Sequence, residues 1–87
     1  MVIAKNIINQ RSVVLELIQG TNPDGKDFYA YVLFPADIFE EIKDKFTTEK
    51  IDISKHGIVL HSDYGKHPPE GLEEKVLQHF KENYLKD

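Results

Sequence analysis

"SVVLELIQGTNPDGKDFYAYVLF", residues 12–34, decides how this chain folds. Its opening part alternates: Val13, Leu15 and Leu17 fall on one side of an extended backbone, and Val14, Glu16 and Ile18 fall on the other. That period of two suits a strand with one face better buried. From Asp27 to Phe34 the pattern returns, with Phe28, Ala30, Val32 and Phe34 on one face and Tyr29, Tyr31 and Leu33 on the other. Between the two lies "GTNPDGK". Proline presets φ for the first corner of a turn, aspartate suits the second, and Gly25 can take the left-handed conformation that closes a hairpin with a bulge.

Pro35 ends the second strand and is placed to begin a helix, "PADIFEEIKDKF", where its missing N–H is harmless. Ile38, Phe39, Ile42 and Phe46 recur at three and four residues and form one apolar stripe. "TTEKIDISKHG" reads as a connector holding a short extended piece around Ile51 and Ile53. "IVLHS", residues 58–62, reads as a third strand. If that strand persists to residue 63, Val59, His61 and Asp63 share a face. Pro68 and Pro69 then open a second helix, in which Leu72, Val76, Phe80 and Tyr84 line one side and acidic residues gather at the start, as the helix dipole favours. Residues 2–9, "VIAKNIIN", fit a short helix or an edge strand, and the helix is the preferred reading.

The expected architecture is an α+β two-layer sandwich in the order β-β-α-β-α. A three-stranded, mainly antiparallel sheet carries its helices on one face, with a short N-terminal element beside it. A chain of 87 residues has core enough for one domain, residues 1–87. An apolar share of 40% against 30% charge is too hydrophobic for a disordered segment.

Without cysteine there are no disulfides, thiolate ligands or thiol nucleophile. The start "MVIAKNIINQR" has too short an apolar run for a signal peptide, and nowhere do eighteen apolar residues run together. The expectation is a soluble, cytoplasmic protein with no membrane role. Its formal charge is −4, with a single arginine, Arg11, which disfavours nucleic acid as a partner because phosphate neutralisation dominates that affinity.

Catalytic signatures are sparse. His61, Asp63 and His67 could in principle hold a metal or move protons, since imidazole titrates near neutral pH and a carboxylate fixes its tautomer. They match no ligand spacing such as H-E-x-x-H. "YGKHPP" lacks the phosphate-loop pattern, and its prolines remove amide donors. Ser12, Ser54 and Ser62 lie in no G-x-S-x-G context. No cofactor or metal is expected, and the sequence favours a non-enzymatic role.

"YAYVLF", residues 29–34, resembles the second part of the RNP1 strand of RNA-recognition motif domains, in which alternate aromatics on an open sheet face stack bases. The resemblance covers at most residues 12–62 and implies that Tyr29 and Tyr31 would stack a nucleotide or single-stranded RNA. Asp27 and Phe28 stand where that family has a basic residue and a glycine.

The residues themselves point to protein contact. An open sheet face bearing Val14, Ile18, Tyr29, Tyr31 and Leu33, flanked by Val59, His61, Asp63 and Tyr64, would need cover, and tyrosine-rich patches are typical of protein interfaces. The expected function is an interaction or regulatory module that uses this face to bind a protein partner or a second copy of itself. Nucleotide stacking on Tyr29 and Tyr31 is one alternative. A small metal-dependent or acid–base enzyme using His61, Asp63 and His67 is the other.

Overall fold

A computed structural model describes residues 1–45 and 53–84. Four antiparallel strands, β1 (Val2–Ile8), β2 (Arg11–Thr21), β3 (Asp27–Pro35) and β4 (Ile58–Tyr64), lie side by side in chain order. After β3 comes α1 (Ala36–Ile42), continued by a 3₁₀ turn at Lys43–Lys45. A single helical turn, α2 (Ile53–His56), precedes β4, and α3 (Leu72–Tyr84) follows it. The α+β class with an antiparallel sheet is as expected, but the sheet has four strands rather than three.

The additional strand is the N-terminal segment, for which the sequence had favoured a helix. Asn9 and Gln10 both adopt positive φ, 51° and 67°, and their two-residue reversal sets Ile8 opposite Arg11. Such a turn matches the natural twist of paired strands and converts "VIAKNII" into the outer neighbour of β2. A bulge at Ile3 shifts the pairing, so that Val2 faces Glu16 and Ala4 faces Leu15.

The hairpin of β2 and β3 forms as its turn dictates. The Asn22 carboxamide oxygen accepts from the N–H groups of Asp24 and Lys26, at 3.1 and 2.9 Å, and Gly25 sits at φ 82°. The length of this turn sets which residues face one another. Leu15 pairs with Leu33 and Leu17 with Tyr31, so Val13, Leu15 and Leu17 share the tyrosine face. Val14 and Ile18, expected beside the tyrosines, instead join Ala30, Val32 and Phe34.

Both faces of this hairpin are covered, which corrects the two-layer arrangement with helices on one side. Val76 and Phe80 of α3 pack on Leu15, Leu17, Tyr29, Tyr31 and Leu33. On the opposite face, Phe39 and Ile42 of α1 pack on Val14, Val32 and Phe34, with the Phe34 and Phe39 rings 5.7 Å apart. The reason is composition. From Phe28 to Phe34, β3 carries no polar-outward alternation, and an apolar run of that kind requires burial on both sides. Each fully buried side chain of this size contributes about 1.5–3 kcal/mol.

The helices begin and end where local geometry demands. α3 starts at Leu72 and not at Pro68, because Gly71 takes φ 87°, a left-handed value that no helix continues, and the Leu72 N–H bonds to Pro69 O at 3.1 Å. Ile53, expected to be extended, opens α2. Phe46 and Ile51 lie outside the described residues. Gly57, between α2 and β4, lets the backbone press against β3: a Cβ there would meet Leu33 O at 2.7 Å and Val32 Cγ1 at 2.8 Å.

Candidate functional site

The surface expected from the sequence comprised Tyr29, Tyr31, Leu33, His61, Asp63 and Tyr64, and the fold divides it. Tyr29, Tyr31 and Leu33 are interior, at 3%, 1% and 5% exposure, beneath the chain's own α3. The sheet face that bears Tyr29 and Tyr31 is not open, because the segment after β4 carries α3 across it. Burial, and next the Glu73 carboxylate and then Tyr29, raise the Tyr31 hydroxyl above its ordinary pKa. Stacking a base on either phenol ring, as the RNP1 resemblance implied, would require α3 to leave.

His61, Asp63 and Tyr64 lie on β4, where they stay near the surface. Pairing of Tyr31 with His61 and Tyr29 with Asp63 places the latter two residues on the α3 face, as parity implied. Val59 does not join them. A bulge at Leu60 shifts the register, so Val59 pairs with Val32 on the α1 face, while Leu60 packs into the α3-side core.

The three members of the suggested metal or proton site make separate contacts. The His61 ring stacks on Tyr29. The Asp63 carboxylate accepts the N–H of Tyr64 at 2.8 Å. His67 Nδ1 lies 3.2 Å from Gln19 Nε2, which also donates to Lys66 O at 2.9 Å and so ties the crossing segment to β2. Gly65, at φ 140° with Tyr29 Cε1 3.5 Å from where its Cβ would stand, lets that segment turn over the tyrosine. "HSDYGKH" is therefore the crossover that delivers α3. Among the described residues no three His, Cys, Asp or Glu side chains group as a metal site.

What does remain at the surface is the outer edge of β4. Ile58 is 51% exposed, Val59 40% and Tyr64 65%, and Lys26 Nζ stands 5.4 Å from the Tyr64 ring centroid. Because Gly65 N–H bonds inward to Asp27 O, alternation along the strand turns the backbone groups of Ser62 and Tyr64 outward. At the head of β4, a hollow of about 570 Å³ is lined by Leu33, Phe34 and Ile58 together with Arg11, Lys55 and His56. Arg11 also reaches Asp37 at 3.5 Å.

The sequence had singled out His61, Asp63 and Tyr64, the last beyond the expected end of the strand, but passed over Ile58 as a surface residue. The available signal was its place directly after Gly57, at the start of a strand that ends the sheet. Among the described residues no helix is long and apolar enough to cross a membrane. Comparison with known protein families, with characterised proteins and with solved structures yields no match for this chain.

Proposed function

We propose that the chain is a non-enzymatic interaction module that binds a protein partner along the outer edge of β4. One observation carries the reading. Apart from Met1, the large apolar residues left substantially exposed among the described residues all lie on the two outer strands, and three of them, Ile58, Val59 and Tyr64, lie on β4. An outer strand offers backbone donors and acceptors to an added strand, while alternate side chains supply specificity. A partner segment of extended, apolar character would cover Val59 and Tyr64 and exchange main-chain hydrogen bonds at Ser62. The Asp63 carboxylate, which now occupies the Tyr64 N–H, would yield that donor to the incoming strand.

Selection of displayed short peptides on the immobilised chain tests this. Extended sequences with alternating apolar residues are expected, and their binding should slow amide exchange at Ser62 and Tyr64 and be lost in Val59→Lys. Peptides that bind Val59→Lys equally well, or that protect amides elsewhere, would overturn the assignment. Sedimentation of the chain alone, compared with the same variant, identifies whether a second copy serves as the partner.

A further inference from the structure

Glu16 is the one buried charged residue among those described, 7% exposed in the middle of β2 on the α1 face. Withdrawing a carboxylate from water is costly unless donors replace its hydration. Here only one oxygen is served: Oε1 accepts from the Met1 ammonium, whereas Oε2 is buried and has no hydrogen-bond partner. The same ammonium donates to Leu17 O at 2.8 Å. A carboxylate and a main-chain carbonyl thus already form a cradle for a primary ammonium, with half of the carboxylate's accepting capacity unused.

Glu16 also lines a cleft of about 850 Å³ between α1 and the strands β1 and β2, a volume in the usual range for small-molecule sites. Val2, Ile7, Val14 and Phe39 give it apolar walls. Lys5 and Lys43 stand at its sides, and Lys43 is already engaged by Glu40 at 2.7 Å. Met1, 69% exposed, also lines the cleft, and its carbonyl accepts the Leu17 N–H at 2.8 Å. The cleft lies across the sheet from β4, so it is independent of the edge proposed above.

We propose that this cleft binds an aliphatic compound bearing a primary ammonium, which donates to Glu16 Oε2 while its carbon chain lies along Val14 and Phe39. Small amines and the free amino terminus of a peptide share this chemistry. The carboxylate supplies charge-assisted hydrogen bonds, and the apolar residues of the cleft cover the carbon chain.

The test titrates the isotope-labelled chain with n-pentylamine, with a short apolar peptide bearing a free amino terminus, with the same peptide acetylated, and with n-pentanol. Saturable shifts at Glu16, Val14 and Phe39 are expected with a dissociation constant between roughly micromolar and millimolar. Response to pentylamine identifies the ligand as a small amine, and response to the free peptide alone identifies it as a peptide terminus. Glu16→Gln should weaken binding by about tenfold or more, as loss of a charge-assisted bond implies. If Glu16→Gln does not fold, Ile7→Trp, at an exposed position on the cleft wall, should weaken binding by obstructing the mouth. Equal shifts from pentanol or from the acetylated peptide, no shifts from either amine, or unchanged affinity in these variants would overturn the proposal.

Discussion

The imidazole of His61 lies stacked against the ring of Tyr29, with 6.4 Å between centroids and 22° between planes. It closes the border of the α3-side core where β4 ends the sheet, so its contact area goes to shielding a phenol ring. His61→Ala should lower stability by about 0.5–1.5 kcal/mol, the worth of such a ring pair. Urea denaturation measures the loss, and acrylamide quenching of tyrosine fluorescence should increase. An unchanged midpoint would show that the stack contributes nothing.

Alkaline pH should loosen the fold through Tyr31. Burial first, and the Glu73 carboxylate second, raise its hydroxyl above the ordinary 10.0. Once pH passes 10.0 the unfolded chain releases this proton while the folded chain retains it. The unfolded state then binds fewer protons, so stability falls with rising pH until the folded group also ionises. Below 10.0 the contribution is complete. Urea midpoints followed from neutral pH upward should decline in the native chain and decline less in Tyr31→Phe.

Gly57 should tolerate no side chain. In Gly57→Ala the new methyl would stand 2.7 Å from both Leu33 O and Phe34 Cδ1, a backbone atom and an interior ring. Overpacking of this kind costs about 1–3 kcal/mol. Gly25→Ala meets no atom within 4 Å but must hold φ 82°, and its loss should be about 1–2 kcal/mol from backbone strain alone. Denaturant titration of the two variants separates crowding from conformation, and only Gly57→Ala should shift the resonances of Phe34.

Gln10 offers the opposite change. It holds φ 67° at the second position of a two-residue reversal that prefers glycine after asparagine. Gln10→Gly should therefore raise stability by up to about 1 kcal/mol, read as a higher thermal midpoint. A lower midpoint would mean that the Gln10 side chain contributes more than its backbone costs.

The legibility of this fold was uneven. Alternation within β2 and within β3 was readable residue by residue, because side-chain direction follows from strand geometry alone. Which face of β2 meets which face of β3 was not, because that depends on the residue count of the Asn22–Lys26 turn, and an error of one sets Glu16 or Ile18 in place of Leu17 opposite Tyr31. The two-sided burial was written in the unbroken apolar run from Phe28 to Phe34, a stronger signal than the resemblance of "YAYVLF" to a base-stacking strand. β1 was obscured because Asn-Gln is a poor advertisement for a reversal. On the surface, His61 and Asp63 were legible as same-face neighbours of a strand reaching residue 63, whereas its extension through Tyr64 was not. The bulge that separates Val59 from them, and the burial of Glu16, arise from pairings with β3 and β1 that no local pattern records.

Strand order across the sheet equals strand order along the chain, and this bears on how quickly the molecule assembles. Each of the two hairpins, β1 with β2 and β2 with β3, joins segments already close in sequence, so little loop-closure entropy opposes them. Only β4 must return from a long excursion, residues 36–57, before it can dock on β3. Low contact order favours rapid refolding of the meander, and the slow event should be capture of the last strand together with α3.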